Sequence, residues 1–154
     1  FKINHTRINV QASELPYPDI VSVMDRIDNP IKLLVDKKRL ESVVSYCSSF
    51  VKNKKASLSV SLLFTPEYLK LFFKDSTIGE FSDQINGAIN IQEPFKINLN
   101  TLFLLGALKE IESPNLILKV NTSKLTPIQL IPEVTYTGFS KTIFIAPKND
   151  TTLV

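Results

Sequence analysis

The sequence has very few of the residues that enzymes commonly use for catalysis or metal binding. Among 154 residues there is one histidine, His5, one cysteine, Cys47, and no tryptophan. A single cysteine cannot form an internal disulfide. Cys47 lies among apolar residues at helical spacing, so we expect a small buried side chain. A lone histidine does not provide a catalytic centre or a metal cluster, and the sequence therefore predicts neither an enzyme nor a cofactor site.

Glycine and long apolar runs are scarce as well. Four scattered glycines cannot build a glycine-rich phosphate loop, and no apolar run approaches the ~20 residues of a membrane-spanning helix. A hydrophobic fraction of 44% with 21% charged residues is typical of a globular chain. The net charge of +3 permits contact with a polyanion without requiring it. The chain opens with Phe1 in a strand-like run, so we expect a piece of a longer protein.

What the sequence does contain is one pattern of elements that occurs twice. In the first copy an apolar strand (31–35) leads to Asp36, a natural helix cap, and then to a helix (37–51) and three strands (57–64, 68–73 and 78–89). In the second copy a strand (95–98) leads to Asn100, another cap, and then to a helix (100–112) and three strands (116–120, 128–130 and 142–146). Duplication at a period of roughly 60 residues predicts an α+β fold. The repeated βαβββ unit would place two helices on a mostly antiparallel sheet.

Charged clusters are weak signals when taken alone. Lys37, Lys38 and Arg39 open the first helix, and further lysines follow its end. Such runs are more typical of a solvated face than of a nucleic-acid site. No aromatic residues alternate with them, which argues against stacking of unpaired bases. Any DNA contact would therefore be independent of sequence and sensitive to salt.

Three local motifs, in this order along the chain, are similar to those of one family. Residues 17–20 read Y-P-D-I, similar to F-P-D-Y at a junction between two domains. Residues 95–100 read F-K-I-N-L-N and, with the leucines that follow, are similar to I-G-F-N-x-x-Y-L-L-D-x-L. Residues 142–147 read T-I-F-I-A-P, similar to Y-x-x-M-P-M. The sequence thus resembles the C-terminal part of the beta subunit of bacterial DNA polymerase III, the DNA sliding clamp.

The resemblance implies a non-enzymatic processivity factor. In the family two subunits, each of three similar domains, form a homodimeric ring that encircles double-stranded DNA and tethers the polymerase. Residues 1–24 would end the second domain and residues 25–154 would form the third. The partners would be DNA polymerase, the clamp loader and repair proteins, in the cytoplasm or in an organelle. Without a first domain we expect this chain to be monomeric.

The resemblance also implies three sets of site residues. A cleft for partner peptides would lie between Pro18, Ile20, Ser22 and Val23 on one wall and Phe144, Ile145, Ala146, Pro147 and Lys148 on the other. DNA would be faced by Lys37, Lys38 and Lys109. Ring closure would use Phe50, Val51 and Lys52, with an acidic face around Glu80 and Asp83.

The chain departs from the family pattern at several of these positions. Val21 and Ser22 stand where the family has basic residues, and Ala146 and Lys148 stand where it has methionines. The chain also continues through residues 149–154 where the family normally stops. The peptide preference of the cleft is therefore open. Two other functions also remain: a structural or phage-type interaction module of duplicated βαβββ form without DNA binding, and a subunit of an enzyme.

Overall fold

The elements of the computed structural model follow the predicted order. It describes residues 2–3, 6–7, 19–49, 59–75, 79–123, 126–135 and 141–148. Two short strands and a short helix come first: β1 (Lys2–Ile3), β2 (Thr6–Arg7) and α1 (Ile20–Asp25). The first repeat consists of β3 (Ile31–Asp36), α2 (Lys37–Ser49), β4 (Ser59–Phe64), β5 (Tyr68–Asp75) and β6 (Gly79–Asn86). The second consists of β7 (Phe95–Asn100), α3 (Thr101–Lys109), β8 (Asn115–Val120), β9 (Ile128–Pro132) and β10 (Ile143–Ile145).

Both repeat helices begin at a side-chain cap on the last residue of a six-residue strand. The Asp36 carboxylate accepts a hydrogen bond from the backbone N–H of Arg39 at 2.8 Å. The side-chain oxygen Oδ1 of Asn100 accepts from the N–H groups of Leu102 and Phe103 at 2.9 and 3.2 Å. Each bond satisfies donors that the first turn of a helix leaves free. The first strand and the helix of the second repeat each begin 64 positions after those of the first repeat, close to the predicted period of roughly 60 residues.

The second helix ends before the predicted residue 112. At its end the N–H groups of Glu110 and Ile111 bond the carbonyls of Ala107 and Leu108, three residues earlier, at 3.2 Å each. This tighter turn satisfies terminal carbonyls and stops the α-helix. Ile111 lies outside the helix but is still buried, as its place in the predicted apolar period requires. The predicted end of α2, at residue 51, lies outside the described residues.

The described strands of the two repeats form two four-stranded antiparallel sheets, where the sequence predicted one mostly antiparallel sheet. The first has the order β10-β9-β8-β3 and the second β6-β5-β4-β7. Each sheet thus holds three strands of one repeat and the first strand of the other. β3 pairs with β8 along its whole length, from Ile31↔Val120 to Asp36↔Asn115. β7 pairs with β4 in the same way. Among the described strands, β1 and β2 pair only with each other.

The core lies between the two helices and the inner faces of the sheets. Strand residues alternate between buried and half-buried in β4 and β8, as expected for strands with one core-facing side. The helices pack against each other and contribute Leu40, Val44, Leu104 and Leu108, all fully buried. Burying each such side chain stabilises the fold by about 1.5–3 kcal/mol. Among the described residues, no helix is long and apolar enough to cross a membrane.

Candidate functional site

An apolar groove of about 780 Å³ runs between α3 and the chain around β10. Four residues of α3 form one wall: Leu102, Phe103, Gly106 and Ala107. The Phe103 side chain is 68% exposed and that of Leu102 is 41% exposed. Large apolar side chains left in water at a concave site are typical of a binding surface.

The second wall of the groove is an edge strand and the turn that follows it. Of the described strands β10 pairs only with β9, from Ile143↔Leu130 to Ile145↔Ile128. Ile145 is 5% exposed and faces the core, whereas Phe144 is half-buried and lines the groove. The N–H of Lys148 donates to the carbonyl of Asn98 at 2.8 Å, which fixes residues 146–148 against β7. Both walls of the groove are therefore anchored: α3 by its buried residues, and the β10 wall by its hydrogen bonds to β9 and β7.

The charged groups of this groove lie at its ends. Lys141 Nζ bonds the backbone oxygen of Glu110 at 2.8 Å and its carboxylate at 3.2 Å. A cation at the last carbonyls of a helix is favourable because it meets the negative end of the helix dipole. Asn100 and Lys148 line the other end. The middle of the groove is thus apolar.

A corresponding groove of about 580 Å³ lies in the first repeat, between α2 and β6. Arg39 bridges its two walls, since its guanidinium donates to the backbone carbonyl of Gln84 at 2.6 Å and to the Asp83 carboxylate at 3.4 Å. Tyr46 also packs on Phe81, with ring centroids 4.8 Å apart. Its helix-side residues are Asp36, Lys38, Arg39, Ser42, Val43 and Tyr46, each 64 positions before a residue of the apolar groove: Asn100, Leu102, Phe103, Gly106, Ala107 and Glu110. At equivalent positions of the fold, the first repeat thus has a groove bridged by a charged side chain, and the second has an open apolar groove.

The other predicted wall of the cleft lies on α1. Asp19 caps this helix by accepting from the N–H and the hydroxyl of Ser22, and the hydroxyl is the larger cause of a lowered pKa of the Asp19 carboxyl. Ile20 is 44% exposed and Val23 is 56% exposed. Among the described residues α1 does not line the apolar groove. Pro18 lies outside the described residues, so this wall stays a prediction.

Two of the three predicted DNA-facing lysines are exposed. Lys37 is half-buried and its Nζ lies 3.3 Å from the Glu41 carboxylate. Lys38 on α2 and Lys109 on α3 are exposed. The role of all three in facing DNA stays a prediction.

The predicted acidic face for ring closure is divided by the pleat of β6. Glu80 and Asp83 are an odd number of residues apart, so their side chains lie on opposite faces of the strand. Glu80 pairs with Lys74 on the outer face, and this pairing lowers the pKa of Glu80 and raises that of Lys74. Asp83 pairs with Arg39 on the helix side. The two carboxylates do not form one face, and Phe50, Val51 and Lys52 lie outside the described residues.

The sequence prediction missed the helix wall of the groove. The cleft residues predicted from the sequence do not include Leu102, Phe103, Gly106 or Lys141. A signal was present, because α3 reads T-L-F-L-L-G-A-L-K and has almost no polar face. A helix that is apolar on all faces is normally buried on all of them. In this domain one face of α3 packs on the core, and the face with Leu102 and Phe103 stays exposed.

A duplicated βαβββ domain with paired helices over two antiparallel sheets defines a clamp-type domain. The profile of the family "DNA polymerase III beta subunit, C-terminal domain" matches residues 27–147. The chain therefore belongs to this family of sliding-clamp domains.

Solved sliding-clamp structures have the same fold. The DNA polymerase III beta subunit of Thermotoga maritima is 21% identical with a TM-score of 0.72, over 88% of this chain and 35% of that one. The sliding clamp of Caulobacter crescentus is 22% identical with a TM-score of 0.70, over 88% and 34%. That of Bacillus subtilis is 20% identical with a TM-score of 0.70, over 88% and 34%. The chain thus spans about a third of these structures' length. No curated protein matched it.

Proposed function

We propose that this chain supplies the partner-docking domain of a DNA sliding clamp and binds short peptide segments of partner proteins in the groove between α3 and β10. The observation that supports this proposal is the open apolar groove, which has the exposed Phe103 on one wall and the half-buried Phe144 on the other. The partners would be a replicative polymerase, a clamp loader and repair proteins. The chain would act by binding alone, without catalysis or a cofactor, in the cytoplasm.

The groove can supply both affinity and orientation to an extended peptide. Each large apolar side chain that it buries contributes about 1.5–3 kcal/mol, before the cost of immobilising the peptide. Two such anchors are consistent with dissociation constants in the micromolar range or weaker. β10 is the last strand of its sheet among the described strands. Its outer backbone groups would orient the peptide by hydrogen bonding.

We further propose that α1 completes the cleft and marks the boundary between residues 1–24, the end of a second domain, and residues 25–154, the third. All four large apolar residues of α1 are exposed: Ile20, Val21, Val23 and Met24. A six-residue helix without a buried residue gains little from its own domain. Such a helix is suited to contact a second domain, a partner peptide, or both.

In the intact homodimeric ring, we propose that the helices face double-stranded DNA through Lys37, Lys38 and Lys109. The low charge of this face supports weak, sequence-independent contact, which suits a ring that slides. The remaining residues of the ring-closure prediction, Glu80 and Asp83, each have a partner within the chain. We expect the isolated chain to sediment as a monomer. A stable two-subunit ring of this chain alone would contradict that expectation.

A protein-interaction module that does not contact DNA is the alternative. The exposed side of α3 favours it, because Lys109 is the only cation of that helix and Glu110 follows it directly. Salt-dependent DNA binding by the full ring would decide against this alternative.

Peptide titration tests the docking proposal. A fluorescently labelled Q-x-x-L-F peptide should bind the chain and should bind poorly to Phe144→Asp or Pro147→Gly. Leu34→Asp is a matched control, because Leu34 is 54% exposed on β3, at the opposite edge of the same sheet. Failure of the wild-type chain to bind, or an equal loss in Leu34→Asp, would refute the docking proposal.

A further inference from the structure

Strand β5 has an alternating lysine–phenylalanine–lysine pattern on the outer face of its sheet. Lys70, Phe72 and Lys74 are two residues apart, so their side chains lie on one side of the strand. Leu71 and Phe73 alternate with them and are buried. β5 is also an inner strand, between β6 and β4. The pattern therefore lies within the sheet face rather than at its edge.

A third lysine approaches the phenylalanine from β7. Leu63 of β4 pairs with Lys70 in one direction and with Lys96 in the other, so the Cα atoms of the two lysines are about 10 Å apart. The ammonium nitrogen of Lys96 lies 5.9 Å from the centroid of the Phe72 ring, which is a cation–π distance. Phe72 is half-buried among the three lysines. We call Lys70, Phe72, Lys74 and Lys96 the Phe72 patch.

The charge of the Phe72 patch is suited to an anion. Lys74 pairs with Glu80, whereas neither Lys70 nor Lys96 forms a salt bridge with any residue that the structure describes. Like charges on one face repel each other, and an anion bound between them is attracted by both. The patch thus offers two cations to a ligand.

The row of the sheet that contains Phe72 is otherwise polar and uncharged. Ser82, Phe72, Ser61 and Asn98 lie side by side across the four strands. The Ser61 hydroxyl donates to the side-chain oxygen of Asn98 at 2.6 Å, and the amide N–H groups of Asn98 can donate to a ligand. A depression of about 420 Å³ lies beside this row, with Leu63 and Ser82 in its lining. The face thus combines cations, an aromatic ring and hydrogen-bond donors.

We propose that this sheet face binds single-stranded nucleic acid, with one base stacked on Phe72 and the neighbouring phosphates held by the lysines of the Phe72 patch. Stacking on an aromatic side chain accepts every base, because each base has a π face. Lysines along the path of the backbone add an affinity that falls as salt rises. An acidic peptide would also contact the lysines, but it would leave the aromatic ring unused. The composition of the face therefore favours nucleic acid.

The proposed site is short and requires unpaired bases. Lys70 and Lys74 are about 13 Å apart along β5, at about 3.3 Å per residue, so a strand of nucleic acid gains few contacts and the affinity is low. In a duplex the bases stack on each other and do not reach Phe72. The inference therefore differs from the proposed contact of the helices with double-stranded DNA, and it does not depend on peptide docking.

The other sheet supplies a matched control for charge. Lys32 of β3 and Lys119 of β8 lie opposite each other on its outer face, and neither strand contains an aromatic residue. Lys32→Gln therefore removes the same charge as Lys96→Gln, but from a sheet face without a ring beside it. Phe72→Leu keeps an apolar side chain on β5 and removes only the ring. Thermal unfolding checks that all three variants are folded.

The test is a fluorescence-polarisation titration with labelled oligothymidylate, and with a duplex of the same length, at several salt concentrations. Phe72→Leu should weaken oligothymidylate binding about fivefold or more, because the stacking contact is lost. It should leave duplex binding unchanged. Lys96→Gln should weaken oligothymidylate binding and reduce the slope of log affinity against log salt by about 0.7, the value for one phosphate contact on a single strand. Lys32→Gln should change neither the affinity nor the slope.

Several results would overturn the inference. If the wild-type chain does not bind oligothymidylate, or binds it no more tightly than Phe72→Leu does, there is no stacking site on this face. An equal loss in Lys32→Gln and Lys96→Gln would show general electrostatic attraction instead of a site. If labelled polyglutamate binds through the Phe72 patch and oligothymidylate does not, the face docks an acidic protein segment and the inference fails. Peptide docking in the apolar groove is tested with other variants, so either proposal can fail alone.

Discussion

Replacing Gly106 with alanine should stabilise the fold, and the size of the effect follows from its surroundings. Alanine is more favourable than glycine inside a helix by about 0.8–1.0 kcal/mol. The added Cβ meets no atom within 4 Å, so packing subtracts nothing from this gain. The free energy of unfolding should therefore rise by about 1 kcal/mol, which raises the melting temperature by roughly 2–4 °C in a chain of this size.

Two other glycines provide controls with different expected results. Gly79 has a φ of 110°, which a residue with a side chain rarely adopts, so Gly79→Ala should cost about 1–3 kcal/mol. A Cβ on Gly87 would lie 3.2 Å from Leu33 Cδ1, so Gly87→Ala requires a small shift of a buried leucine and should be mildly destabilising.

Urea denaturation followed by circular dichroism measures all three glycine variants. The dependence of the unfolding free energy on urea concentration should stay constant, so that midpoints report stability directly. A Gly106→Ala midpoint at or below that of the wild type would refute the reasoning. It would mean that the position is not a free helix interior.

Four further predictions concern the core, a helix cap and two titrating groups. Leu118→Ala empties a fully buried position of β8 and should lower the unfolding free energy by about 2–5 kcal/mol in the same urea assay. Asn100→Ala removes the cap of α3 and should cost about 1 kcal/mol, whereas Asn100→Asp should retain most of it, read from the same midpoints. Burial raises the pKa of the Cys47 thiol, so at about pH 8 a thiol reagent should label the folded chain far more slowly than the urea-unfolded chain; equal rates would contradict burial. Lys74→Met should raise the pKa of Glu80, because the lysine holds that pKa below its usual value; an NMR titration measures the change. The stability that this ion pair contributes is present above the unfolded-state pKa of Glu80 and is lost as the pH falls through its lowered folded-state pKa.

Local features of the fold could be predicted from the sequence because their causes are local. Asp36 and Asn100 cap their helices as expected, since a side-chain oxygen directly before an apolar helical period has few other roles. The burial of every second residue in β4 follows from its alternation. Alternation fixes the face of a strand but not its neighbour. The alternation could therefore not predict that β3 joins the sheet of the second repeat and β7 that of the first.

The candidate site was predictable only in part, for a related reason. The motif around Phe144 marks the edge-strand wall, but the helix wall depends on how α3 is oriented. Phe103 and Leu104 are equally apolar in the sequence, yet one is 68% exposed and the other is fully buried. Glu80 and Asp83 looked like one acidic cluster because they are close along the chain, and the pleat separates them. Orientation of this kind comes from packing over long sequence distances.

The exchange of first strands also has a consequence for the origin and assembly of the domain. If the chain were cut between β6 and β7, each half would keep three strands of one sheet and would leave the edge of β4 or β8 without its partner. The first strand of another copy would complete that sheet. A single repeat could therefore form a homodimer by exchanging first strands, and residues 87–94 join the two repeats in one chain. For the same reason the two halves, supplied as separate chains, should assemble with each other into the intact domain.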